Sequence, residues 1–106
     1  KNKEAEVEKD AKIFIYSPVK YLKSEFKNSE VSGNNLQAAY AFIDEPIEWL
    51  DIEGNPVTLT KLQAKELIEL ILQQRSKGYF LEAQFKKQIN DCSTVEEVDN
   101  LVLDFN

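Results

Sequence analysis

The strongest pattern of apolar positions lies in the C-terminal half of the chain. From Ala64 to Leu72, apolar residues recur every three or four positions, a spacing that places them on one face of an α-helix. Thr60 and Gln63, just before them, have the spacing of a capping box, in which each side chain accepts a hydrogen bond from the other residue's backbone N–H. Gly78 predicts a break or kink, because glycine inside a helix costs about 1 kcal/mol relative to alanine.

Two further helices are predicted after Gly78. The apolar face of the first consists of Phe80 or Leu81, Phe85 and Ile89. Thr94 and Glu97 then repeat the capping-box spacing, and another apolar series follows as far as Phe105. We therefore expect the C-terminal half to be helical almost to its end.

The pattern changes to that of β-structure in residues 47–59. Two short runs rich in β-branched and aromatic residues flank a Gly-Asn-Pro turn at residues 54–56, which predicts a hairpin. Ile13–Tyr16 is a similar run that ends at a Ser-Pro pair, and it predicts one more strand.

The segments between these elements give weaker patterns. Val19, Leu22 and Phe26 recur at three- and four-residue spacing, which predicts a short helix. Residues 32–35, Ser-Gly-Asn-Asn, predict a loop. Residues 38–43 fit either a helix, because of their alanines, or a strand, because of their aromatic and β-branched residues.

These patterns predict an α+β fold. A small antiparallel sheet, including the hairpin around residues 47–59, is packed by three to four helices. Residues 1–12 are almost wholly charged and are expected to form a linker or a frayed helix. Residues 13–106 are expected to form a single small domain, because a chain of 106 residues supplies one hydrophobic core.

The charge distribution argues against nucleic acid as a partner, and the short apolar runs argue against a membrane. The net charge is −6, and residues 31–60 contain five acidic residues and no Lys or Arg. Nucleic-acid binding requires a basic surface that replaces phosphate counterions, and no third of the chain supplies one. No apolar run approaches the roughly 20 residues that span a bilayer.

The residue types also argue against catalysis. The chain has no histidine, the commonest general base and zinc ligand, and its three glycines lie too far apart for a phosphate-binding loop. Asp51, Glu53 and Asn55 alternate like calcium ligands, but Gly54 stands at the wrong position for an EF-hand. A solvated acidic face is therefore favoured over a cation site. No catalytic, cofactor-binding or metal-binding residue is assigned, and Cys92 is interpreted as a small buried apolar residue.

Three aromatic residues are the candidate contacts with a partner. Trp49 lies beside the acidic turn, and Tyr79 and Phe80 follow Gly78. Core packing is favoured for all three, and the alternative is an exposed aromatic that docks a partner protein.

The order of features from Trp49 onward carries a family resemblance. Its motifs are WLDIEGNPVTLT at 49–60, AKELIEL at 64–70, Arg75, KQI at 87–89 and STVEEV at 93–98. This order resembles a domain of unknown function found near the C-terminal ends of tail and tail-fibre proteins of tailed bacteriophages and prophages. The resemblance covers residues 49–105.

The resemblance implies a non-catalytic structural or assembly role in a virion. Its partners would be other tail components or further copies of the same chain, and its location would be the phage tail or, during assembly, the host cytoplasm. The chain starts at Lys1 and contains no Met, which fits a piece of a longer tail protein. The alternative is a stand-alone exported binding or inhibitor module, periplasmic or secreted, whose leader was removed before Lys1.

Overall fold

The computed structural model of the chain describes residues 2–105. Within that range the chain forms four helices and two two-stranded antiparallel sheets. In chain order they are α1 (Asn2–Ile15), β1 (Val19–Tyr21), β2 (Ser24–Phe26), α2 (Glu30–Phe42), β3 (Ile47–Leu50), β4 (Pro56–Leu59), α3 (Lys61–Asp91) and α4 (Val95–Asp99). The α+β class, the hairpin at 47–59 and the number of helices are confirmed.

The chain divides into two compact units. The central unit is Tyr16–Gln73, and the terminal unit combines the chain up to Ile15 with the chain from Gln74 onward. The expectation of a charged segment 1–12 followed by a single domain over 13–106 stays a prediction.

The core of the central unit collects apolar side chains from both hairpins, α2 and the first half of α3. Its buried members are Val19, Phe26, Leu36, Leu59, Ala64, Leu67 and Ile71. The predicted capping box starts α3: the Thr60 N–H donates to Gln63 Oε1 at 2.9 Å, and the Gln63 N–H donates to Thr60 Oγ1 at 3.1 Å. Of the apolar face predicted from Ala64 to Leu72, Ala64, Leu67 and Ile71 are buried, whereas Leu72 is 46% exposed.

In the terminal unit, α1 packs with the second half of α3 and the C-terminal segment. The buried side chains are Val7, Ala11 and Ile15 on α1, Phe85 and Ile89 on α3, and Phe105. The rings of Phe85 and Phe105 meet edge to face with centroids 5.0 Å apart. The Lys86 ammonium lies 2.7 Å from the Glu8 carboxylate, and this hydrogen bond lowers the pKa of Glu8 and raises that of Lys86.

The predicted strand at Ile13–Tyr16 is wrong, because residues 13–15 are the last turn of α1. Val7, Ala11 and Ile15 recur at four-residue spacing and are all buried, so helical burial outweighs the local β-preference of the Ile-Phe-Ile-Tyr run.

The predicted helix at Val19–Phe26 is also wrong. This segment is the β1–β2 hairpin, in which Val19 pairs with Phe26 and Tyr21 with Ser24. Leu22 and Lys23 form its two-residue turn with φ of 53° and 64°. This left-handed pair is the backbone of a type I′ turn, which normally selects Asn and Gly.

The segment with the open assignment, residues 38–43, is helical up to Phe42 and belongs to α2. The predicted loop at 32–35 is wrong, because α2 starts at Glu30 and includes it. Ser29 caps the helix, because its side-chain oxygen accepts the Ser32 N–H at 3.2 Å. The capped helix therefore begins before the Gly-Asn-Asn run and includes it.

The expectations for the last third of the chain are partly wrong. α3 runs without interruption through Gly78, which is buried against Ile15 and Phe14 of α1. The last helix begins as predicted, with Thr94 accepting the Glu97 N–H at 3.1 Å, but α4 ends at Asp99. The apolar series that continues to Phe105 is therefore an irregular segment whose final ring is buried.

Candidate functional site

A groove of about 460 Å³ lies beside β3 in the central unit. One wall is formed by residues 48–52 of β3 and the hairpin loop, with Gly54, and the opposite wall includes Lys27 and Ser32. Lys27 follows β2, and Ser32 is in the first turn of α2. The lining comes from β3 and the loop, not from β4, so the groove follows the edge of β3 that faces away from its partner strand.

The hairpin loop is held in place by the acidic residue at its start. The Asp51 carboxylate accepts the N–H groups of Glu53 and Asn55 at 2.9 and 2.8 Å. Gly54 adopts φ of 89°, the left-handed conformation that closes a three-residue hairpin loop. One carboxylate oxygen of Asp51 is therefore used to shape the loop.

The predicted alternation of Asp51, Glu53 and Asn55 thus belongs to a backbone turn. Among residues 2–105, no three His, Cys, Asp or Glu side chains come together in an arrangement that could hold a metal ion.

Trp49 contributes to both the core and the groove. Its side chain is half-buried and packs, with that of Ile47, against the core of the central unit, as favoured from the sequence. It also lines the groove. Beside it, Leu50 and Ile52 are 62% and 40% exposed. An anchored indole therefore lies next to two accessible aliphatic side chains.

The polar side chains that line the groove are two carboxylates, one ammonium and one hydroxyl. Glu48 and Asp51 lie on the β3 wall, and Lys27 lies on the opposite wall. Glu53, in the loop, lines a neighbouring depression together with Asp51 and Ile52. Residues 31–60 contain no Lys or Arg, so Lys27 is the one base among the described residues that line the groove.

Two interactions of α3 fix the elements around the hairpins. The Lys61 ammonium donates to the Tyr40 carbonyl and, at 2.8 Å, to the Ile43 carbonyl, at the C-terminal end of α2 where helix carbonyls lack intrahelical partners. The Tyr21 hydroxyl donates to the Glu66 carboxylate. Burial, followed by this hydrogen bond, raises the pKa of Tyr21 to about 12.

Tyr79 and Phe80 differ from Trp49 in their environment. Both lie on α3 within the terminal unit, and their side chains are 55% and 63% exposed. The core packing that was favoured for them is wrong, because Gly78 occupies the face of α3 that contacts α1. Whether either ring contacts a partner stays a prediction.

Several groove residues were missed by the sequence analysis. Leu50 could have been found, because strand alternation turns its side chain away from the face of Trp49. Lys27 and Ser32 reach the groove through the packing of β2 and α2 beside the hairpin, and no local spacing signals that contact. Cys92 is only partly buried, and its thiol donates to the Gln88 carbonyl at 3.3 Å.

Comparison with known proteins identified no matching family model, no similar curated protein and no similar solved structure. Within residues 2–105, no helix combines the length and apolar character needed to cross a membrane.

Proposed function

We propose that this chain is a non-catalytic interaction and assembly domain of a phage or prophage tail protein. We propose that it contacts its protein partner through the groove beside β3. The observation that carries the proposal is the half-buried Trp49 beside exposed Leu50 and Ile52. Binding energy at protein interfaces concentrates in rigid aromatic anchors surrounded by contacts that exclude water. Trp49 is held by the core on one side and reaches the groove on the other, so it has this character.

The assignment to a tail protein is supported by the sequence resemblance over residues 49–105. The first four residues of its first motif, Trp49-Leu50-Asp51-Ile52, line the groove. A tail component acts by holding other virion proteins in place, and a groove that combines apolar and charged side chains suits that role. The proposed location is therefore the virion tail and, during assembly, the host cytoplasm.

The virion assignment is tested with particles purified from an induced culture of the source strain. Immunogold labelling with an antibody against this domain should decorate the tails, and peptides of the chain should co-sediment with the particles. Detection in the periplasmic or secreted fraction, without particles, would instead support an exported binding module.

The binding site is tested with two leucines of nearly equal exposure. Leu50 in the groove and Leu62 on α3 are 62% and 64% exposed, so Leu50→Ser and Leu62→Ser should perturb folding equally little. We expect Leu50→Ser to weaken capture of the purified tail partner at least tenfold and Leu62→Ser to leave it unchanged. Equal capture by both variants would contradict the assignment of the groove.

A further inference from the structure

The hydrogen-bond register of the hairpin determines which backbone groups point into the groove. The Asp51 N–H closes the hairpin by donating to the Asn55 carbonyl at 2.9 Å. Hydrogen-bonded and non-hydrogen-bonded pairs alternate along an antiparallel ladder. The next hydrogen-bonded pair is therefore Trp49 with Val57, two residues further along each strand.

Glu48 and Leu50 then lie in the non-hydrogen-bonded pairs. Their N–H and C=O groups point away from β4, toward the edge that the groove follows. The next amide along the chain, that of Ile52, donates to the Glu25 carbonyl of β2 at 2.8 Å. Lys27 and Ser32 line the groove together with residues 48–52.

We infer that an extended segment of a partner protein adds to the free edge of β3 as a third strand of the β3–β4 sheet, hydrogen-bonded to Glu48 and Leu50. Strand addition to an exposed sheet edge takes its affinity from main-chain hydrogen bonds and its specificity from alternate side chains. This inference rests on the proposed function, since it specifies how the same groove recognises its partner.

The two faces of β3 determine which side chains the added partner strand should carry. On the inner face, Trp49 offers an apolar contact, so the side chains of the added strand that face it should be aliphatic or aromatic. On the outer face, Glu48 stands beside exposed Leu50, and Asp51 follows. The alternate side chains should therefore include Lys or Arg, because opposite charges on neighbouring strands are stabilising.

The same charges argue against a second copy of this chain as the occupant. Pairing β3 with β3 of another copy would bring together two segments that each carry five acidic residues and no Lys or Arg over residues 31–60. Like charges on adjacent strands are destabilising. A different chain with a basic and apolar alternation avoids that repulsion.

The test uses the 106-residue chain and an eight-residue peptide of alternating Val and Lys. We expect the hydrogen exchange of the Glu48 and Leu50 amides to slow at least tenfold at saturating peptide. The Thr58 amide is the internal control, because its pairing with Glu48 turns it toward the opposite edge of the hairpin. Its exchange should stay unchanged.

Two matched peptides separate backbone pairing from charge. The Val–Lys peptide methylated on every backbone nitrogen has no N–H on either edge, so it cannot donate to the ladder and should bind at least tenfold more weakly. A Val–Glu peptide of the same length should not bind. As a variant, Leu50→Pro removes an edge N–H without removing a β3–β4 bond, and it should abolish binding, whereas Leu50→Ala should retain it in part.

The outcomes distinguish this inference from the proposed function. Peptide binding without protection of Glu48 and Leu50, or equal binding of the methylated peptide, would overturn strand addition. No peptide binding at millimolar concentration, with capture of the tail partner still dependent on Leu50, would also overturn it and leave the proposed function standing. Protection of Glu48 in a peptide-free dimer would identify a second copy as the occupant.

Discussion

Gly78 shows how a single missing side chain determines helix packing. A Cβ at this position would lie 2.3 Å from Ile15 Cγ1 and 3.1 Å from Phe14 Cδ2. Ile15 is buried, so it has little room to move away. The same glycine that predicts a helix break from its propensity is therefore the residue that lets α1 approach α3.

Replacing Gly78 with alanine should destabilise the chain, although alanine is the better helix former. Overpacking costs about 1–3 kcal/mol, and a contact this short should exceed the roughly 1 kcal/mol gained in helix propensity. Urea unfolding should show a lower midpoint for Gly78→Ala. The control is Ser76→Ala on the exposed part of the same helix, which should leave the midpoint unchanged or raise it. A more stable Gly78→Ala variant would contradict the close packing of α1 on α3.

Tyr21 gives a prediction for pH dependence. Its pKa is raised to about 12 in the folded chain, from 10.0 for an unperturbed tyrosine. The unfolded chain therefore loses this proton first as the pH rises. The stabilisation is complete below pH 10 and is lost progressively between pH 10 and about 12.

The measurement compares the wild-type chain with Tyr21→Phe by urea unfolding at several pH values. The free energy of unfolding of the wild type should fall more steeply above pH 10 than that of the variant, because the variant has no phenol at this position to titrate. Parallel curves for the two proteins would contradict the raised pKa. Every other ionisable group is common to both proteins, so only the difference between the two curves is interpreted.

At the scale of elements, the two hairpins explain which parts of the fold the sequence reveals. In the β3–β4 hairpin, Gly54 stands where the loop requires a positive φ, so composition and conformation agree. In the β1–β2 hairpin the same requirement falls on Leu22 and Lys23, residues that rarely adopt it. The burial of Val19 and Phe26 in this hairpin offsets the conformational cost of the turn, and burial is a tertiary effect.

The β1–β2 turn should accept a stabilising glycine. Lys23 has φ of 64°, and a left-handed conformation costs roughly 1 kcal/mol for a residue with a Cβ. Lys23→Gly should therefore raise the free energy of unfolding by up to about 1 kcal/mol. Lys20→Gly, within β1, is the control and should lower it, because glycine weakens a strand interior. Destabilisation by both substitutions would indicate a different turn.

The helices give a similar contrast. The capped start of α3 was predictable, because Thr60 and Gln63 are neighbours in sequence and satisfy each other's backbone groups. The end of α2 could not be predicted in this way, because its last carbonyls accept hydrogen bonds from Lys61. Lys61 lies 18 residues after Ile43 in the sequence. For the candidate site, likewise, Trp49 was found from its type and position, whereas Lys27 and Ser32 enter only through the packed structure.

At the scale of the whole molecule, the charge distribution bears on the proposed binding of a basic segment. The chain has a net charge of −6, and residues 31–60 account for −5 of it. The Glu48 and Asp51 carboxylates of the groove belong to that third. An acidic surface attracts a basic segment from a distance, and salt screens that attraction.

Partner binding should therefore weaken with ionic strength. Raising NaCl from 50 to 300 mM should increase the Kd of the Val–Lys peptide several-fold, mainly through slower association. Glu48→Gln should reduce this salt dependence, whereas Glu96→Gln, exposed on α4 in the terminal unit, should preserve it. A salt-independent Kd would show that the carboxylates do not contribute.

The division into two units gives the native chain its own pair of spectroscopic reporters. Its single tryptophan, Trp49, belongs to the central unit, and its single cysteine, Cys92, belongs to the terminal unit. Indole fluorescence and thiol alkylation can therefore follow each unit separately during denaturation, without any substitution. Coincident curves would identify one cooperative folding unit, and separated curves would identify two.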